Sequence, residues 1–211
     1  MGILESGLLG PFRNKVGAVI GRRHRGQNVM TGLYEKRRKS NSKKLLEAQE
    51  KFALLNVFLS NIDKLVTIGF KQLAKKQSPV NAAFSYNYPH AFVQTDEGIL
   101  LNYPQICYSK GPVSTPESPA AAANDLEITV TCLAQPQSTY CLYTDLATFL
   151  AYCPAKEKAA KFIGVTERHT LNYTMKMPSD FAGELVHCYM SFSSADGKLT
   201  GDSIYIGEAQ C

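Results

Sequence analysis

Between Leu45 and Leu73, residues recur at alternating spacings of three and four: Leu45, Ala48, Phe52, Leu55, Leu59, Ile62, Val66, Gly69 and Leu73. That period belongs to one face of an α-helix, because strand side chains alternate every second residue instead. Asn41 or Ser42 can cap such a helix and Pro79 stops it. The pattern predicts one helix over 43–76, roughly 50 Å long at the usual helical rise. Phe58 and Leu65 widen the stripe. A wide face favours packing on the helix's own domain, or in a bundle, over a narrow two-stranded seam. The packing stripe is expected to consist of Leu45, Phe52, Leu55, Leu59, Ile62, Val66 and Leu73.

After Pro79 the period changes. Residues 80–90 read as a short aromatic-rich helix, and 99–108 as a strand bent or edged by Pro104. Residues 112–125, with Pro112, Pro116 and Pro119, read as a linker or long loop. From Asp125 the chain alternates, with Leu126, Ile128, Val130 and Cys132 on one face. Further strands are expected at 140–143, 160–165, 169–176, 185–192 and 203–206, with a turn at 194–197. Several short strands at near-regular spacing suggest a small sandwich of the immunoglobulin or fibronectin III class. The chain holds no Trp, which excludes the antibody-type core.

Ahead of the helix, the glycine-rich start contains two short strand patterns, Lys15–Ile20 and Gln27–Thr31. They predict a hairpin whose loop, Gly21–Arg22–Arg23–His24–Arg25–Gly26, presents three Arg and a His. The expected fold is therefore α+β: an N-terminal β-hairpin and long α-helix, followed by a C-terminal antiparallel β-sandwich. The expected domains are 1–98 and 99–211.

Charge divides along the same line. Residues 1–80 hold 16 Lys and Arg against 5 acids, whereas 81–211 hold 7 against 13. Such asymmetry suits a basic surface that meets a polyanion or an acidic protein surface. The candidate contact residues are Arg13, Lys15, Arg22, Arg23, Arg25, Lys36, Arg37, Arg38 and Lys39. Phe12, His24 and Tyr34 could stack on bases, but no helix-turn-helix, zinc finger or RNP signature accompanies them. Sequence-specific base reading is not expected. The competing partner is the acidic part of a neighbouring copy.

No catalytic constellation emerges. His24, His90, His169 and His187 are scattered. His187 adjoins Cys188, yet neighbours on a strand point to opposite faces. The six cysteines form no C-x-x-C pair and no zinc-ligand spacing, so no metal and no cofactor are expected. Their even number allows three disulfides, but without an export signal free buried thiols are expected. No run reaches the length of a membrane span, and no signal peptide is visible.

The start Gly7-Leu8-Leu9-Gly10-Pro11-Phe12-Arg13-Asn14-Lys15-Val16-Gly17-Ala18-Val19-Ile20-Gly21 resembles the N-terminal signature of an uncharacterised family of about this length. That family is associated with Bacteroidota genomes and with their phages or mobile elements. Gly26, Gln49, Lys51–Phe52, Asn81–Ala82–Ala83, Ser85–Tyr86 and the closing Asp202–Ser203–Ile204–Tyr205–Ile206–Gly207 fit the same resemblance. The chain departs from it at Arg23 and His24, where the family more often has an aromatic residue. The resemblance implies a fold and a cytoplasmic or virion setting, and no mechanism.

The sequence thus points to a non-enzymatic structural or assembly protein, such as a phage virion component, forming a homo-oligomer or joining a larger protein assembly without a membrane. The alternative is a nucleic-acid-binding protein without sequence preference, using the basic N-terminal region.

Overall fold

The computed structural model describes residues 3–4, 10–24, 26–33, 42–74, 77–96 and 98–211. The chain divides into two compact units, Met1–Ser42 and Lys43–Cys211.

The first unit is a four-stranded antiparallel meander of β1 (Ile3–Leu4), β2 (Phe12–Val16), β3 (Val19–His24) and β4 (Gln27–Gly32), in that spatial order. Two tight turns build it. Val16 pairs with Val19 across Gly17–Ala18, and His24 pairs with Gln27 across 25–26. Gly17 and Gly26 have φ of 56° and 78°, a region open to glycine and strained for most side chains. The expected hairpin is therefore corrected in two respects. Residues 15–20 are the end of one strand and the start of the next, and Gly21–His24 belong to β3 rather than to a loop.

The second unit is mixed α+β. Its helices are α1 (Lys43–Asn61), α2 (Asp63–Gly69) and α3 (Pro79–Asn87). A small hairpin follows, β5 (Phe92–Thr95) with β6 (Gly98–Leu101). Seven strands complete the unit: β7 (Glu117–Asn124), β8 (Glu127–Leu133), β9 (Leu146–Cys153), β10 (Lys158–Glu167), β11 (Asn172–Lys176), β12 (Leu185–Ser193) and β13 (Ile204–Gln210). They form two antiparallel sheets, ordered β11-β8-β7 and β10-β9-β12-β13. The two sheets share one core, in which Ile128, Val130 and Met175 meet Phe149, Ala151, Val186, Met190 and Phe192.

Strand β9 explains the layering. Almost every residue of Leu-Ala-Thr-Phe-Leu-Ala-Tyr-Cys is buried. Ala147, Phe149, Ala151 and Cys153 face the other sheet, while Leu150 and Tyr152 face the helices. A strand covered on both faces reads as a continuous apolar run. Leu55, Phe58, Leu59, Ile62, Leu65 and Val66 supply the helical side of that second core. Each such fully buried side chain stabilises the unit by about 1.5–3 kcal/mol relative to exposure. The expected boundary at residue 98 thus falls inside the second unit, because the helices share a core with Leu150, Tyr152 and Tyr189.

The single long helix is corrected too. α1 and α2 meet at 86° about Ile62. Asn61 and Asp63 flank the bend, and such side chains compete for backbone partners. The Asp63 carboxylate accepts from the Lys64 amide at 2.7 Å, and the Asn61 carbonyl accepts from Lys161 Nζ at 2.8 Å. Apolar periodicity survives the bend because both helices contribute to the same core. Within the expected stripe, Leu55, Leu59, Ile62 and Val66 are buried, whereas Leu45, Phe52 and Leu73 are exposed by 38%, 55% and 52%. No single helix among the described residues is long and apolar enough to cross a membrane.

Three further expectations are revised. Residues 140–143 form a turn and an isolated bridge, and the strand lies at Leu146–Cys153. Residues 117–124 are a strand rather than a linker; Pro119 is tolerated because β7 is an edge, with a register shift at that point. Residues 99–108 split into β6, a 3-10 turn at Tyr103–Gln105 and an irregular segment. The short helix over 80–90 and the strands at 160–165, 185–192 and 203–206 lie close to where the pattern put them.

Candidate interaction surface

Within the first unit, alternation sorts the basic residues. Ile20, Arg22 and His24 share one face of β3; Lys15 and Thr31 lie opposite Ile20, and Val29 opposite Arg22. Lys15 and Arg22 are thus brought to one face, with His24 beside them. Arg23 goes to the other face, with Val19 and Gly21, and their cross-strand partners Val16 and Met30. There Phe12 lies over Gly21, leaving no room for a Cβ. Arg13 sits on β2, paired with Ile3 of β1. Arg25, Lys36, Arg37, Arg38 and Lys39 lie outside the described residues.

Among the described residues, no buried apolar side chain precedes Lys43. Val16, Val19 and Leu33 are well exposed, and Met30 is 70% exposed. A small sheet ordinarily needs an apolar face packed on something to be stable.

Two polar clusters of the second unit escaped the sequence reading. In one, the closing segment holds 108–111 in place. The Ser203 hydroxyl accepts from the Tyr108 and Ser109 amides at 2.8 and 3.2 Å, and Ser109 Oγ donates to the Gly201 carbonyl at 2.7 Å. Asp202 accepts from the Gly111 amide at 3.0 Å and pairs with Lys110. Burial works against the Lys110 charge, yet its hydrogen bond to Asp202 holds the ammonium above the usual lysine range. Tyr86 lies beneath that ammonium, 5.1 Å away. In the other cluster, buried Arg168 meets Asp145, Gln135 and Ser114.

His187 and Cys188 point to opposite faces, as alternation requires. Cys188 enters the core between the sheets, while His187 stacks on Tyr103 at 3.9 Å and hydrogen-bonds the Tyr205 hydroxyl at 3.0 Å. Burial holds the His187 pKa below the ordinary histidine value, with Glu208 opposing it in part. Burial pushes the Cys188 thiol up to about 12, and raises Cys107, Cys132 and Cys211 as well. Thiols so shifted are poor nucleophiles at neutral pH. All six cysteines are free, and no His, Cys, Asp and Glu group among the described residues is arranged to hold a metal ion.

No curated protein and no solved structure matches the chain. A family model does: a family of unknown function (DUF6266) matches residues 11–207, nearly the whole length, and the chain belongs to that family.

Proposed function

We propose that this is a non-enzymatic assembly protein, in which the N-terminal sheet anchors a rigid C-terminal body to a larger structure such as a virion. The observation that carries the reading is the contrast in cores. The second unit has two apolar cores, whereas no buried apolar side chain of the described residues lies in the first. A sheet of that kind is completed by what it binds. The second unit suits a presented module of the fibronectin III kind. Of its seven strands from β7 to β13, the first, second and fifth form one sheet, and the third, fourth, sixth and seventh the other. Light scattering on the full chain over a concentration series tests the proposal. Mass should rise with concentration. A strict monomer that joins no particle removes it.

A second reading rests on the shared face of Lys15 and Arg22. A basic strip flanked by His24 suits a polyanion backbone, whose affinity falls steeply with salt. Gel shifts with single-stranded nucleic acid at rising salt decide it. Reversing Lys15 and Arg22 together to Glu should abolish binding at salt where Arg23→Glu only weakens it, because Arg23 points away from that face. Equal losses from both variants would refute a one-face contact.

A further inference from the structure

We infer that strand β4 is an assembly edge, pairing antiparallel with β4 of a second copy to make one sheet continuous across both chains. This inference rests on the assembly reading and names its partner and its strand.

An edge strand offers unpaired amides and carbonyls to any passing strand, so soluble proteins normally blunt their edges. The other described edges are blunted. β7 carries Pro119 and a register shift. β10 carries Lys158, Lys161 and a register shift, and β13 has an irregular register beside Glu208. β11 is five residues long and ends at Lys176, and β1 is only two residues long. β5 and β6 have four residues each. β4 has none of these devices. It is six residues, Gln-Asn-Val-Met-Thr-Gly, without charge or proline. Its register with β3 is unbroken from His24↔Gln27 to Val19↔Gly32.

The polarity of that edge follows from one hydrogen bond. The Leu33 amide donates to the Ala18 carbonyl at 3.0 Å, so the odd-numbered residues of this strand point their main-chain groups at β3. Asn28, Met30 and Gly32 therefore point theirs outward. A two-fold axis through Met30 sets Met30 against its own copy, and Asn28 against Gly32 on either side. About six main-chain bonds result, two from each facing pair. No charge on β4 meets a like charge in that register. The exposed Met30 side chains meet across the axis and extend the apolar side of the sheet.

Electrostatics supplies a signature. Residues 1–42 hold nine Lys and Arg against two acids, so two such sheets repel. Salt screens that repulsion, and pairing should strengthen as salt rises. Binding to a polyanion has the opposite salt dependence.

Sedimentation velocity of the full chain, at low and high sodium chloride, tests the inference. The wild type should dimerise, more tightly at high salt. Met30→Lys places like charges across the axis and should weaken the dimer about tenfold or more. Met30→Pro should do the same by deleting an outward amide that makes no bond to β3, while Met30→Gln should leave dimerisation in place. If the wild type associates and neither Met30→Lys nor Met30→Pro changes it, this inference fails and the assembly reading stands. A wild type that is monomeric at every salt, or that gains mass only with nucleic acid added, also overturns it. The assembly reading falls only if the chain joins no particle either.

Discussion

Replacing Gly69 with Ala should destabilise the second unit by about 1–3 kcal/mol, the usual cost of overpacking. In an exposed helix the same change stabilises by about 1 kcal/mol, so the sign itself is informative. Gly69 ends α2 against the segment leading to β7. An added methyl would sit 2.6 Å from Ser109 Cα and 2.7 Å from Ser109 Cβ, and closer still to the Tyr108 carbonyl. These are backbone and near-backbone atoms with no rotamer to yield. The Gly69 carbonyl also accepts from the Lys110 amide at 3.1 Å and from Thr200 Oγ1 at 3.3 Å. Moving the segment would disturb buried Tyr108, whose hydroxyl donates to Ser191 Oγ at 2.9 Å. Urea unfolding followed by tyrosine near-ultraviolet circular dichroism measures the effect. Ser203→Ala leaves two amides of the same segment without their acceptor, at about 1–3 kcal/mol. The two changes act on one segment, so their sum should not equal the double variant. A stabilised Gly69→Ala protein would mean that the helix end has slack.

That junction shows where the sequence was legible. Asp202 and Ser203 stood out through the family resemblance, not through any local pattern, because their partners lie about 90 residues earlier. Gly69 was the stripe's one residue without a side chain, and its nearest neighbour is backbone. The stripe itself was readable because burial recurs with helical period. It could not reveal the 86° bend, since Ile62 at the bend is as fully buried as its neighbours. Strand β9 went unnoticed for a related reason. Covered on both faces, it lacks the alternation that marks half-exposed strands such as β8.

The candidate surface was half legible. The Arg22–Arg23–Arg25 cluster was visible as composition, but its geometry depended on the turn length. Because His24 pairs with Gln27, β3 extends to His24, and alternation separates Arg22 from Arg23. A strand ending before Arg22 would have let Arg22 and Arg23 converge. The edge position of β4, unpaired on one side among the described residues, carries no compositional mark, because its distinction is what it lacks. It becomes apparent only beside the proline, lysines and register shifts of the other edges.

A presented module is useful only if its loops hold their shape, and Arg168 fixes one end of the two-sheet body. Its Nε donates to Asp145 Oδ2 at 3.2 Å, one terminal nitrogen to Gln135 Oε1 at 2.6 Å, and the other to the Ser114 carbonyl at 2.8 Å. The guanidinium stacks 3.7 Å from the centre of the Phe192 ring. Asp145 Oδ2 also accepts from the Leu142 amide at 2.9 Å, so the pair binds two loops, the segment before β7 and the β8–β9 connection, to the β10–β11 connection. Both side chains are under 5% exposed. Arg168→Ala strands a buried carboxylate and should destabilise by about 3–5 kcal/mol. Arg168→Lys should recover little, because an ammonium cannot serve three acceptors in the fixed plane of the fork. Asp145→Ala alone should be comparably damaging. The double variant should fall well short of the sum, with a coupling of about 2–3 kcal/mol in a urea-unfolding cycle. Additive losses would mean that the two charges are stabilised separately, by their loops and by solvent. A large coupling would mean that the end of the body most crowded with irregular chain is held by one buried ion pair, and that the loops there move together or not at all.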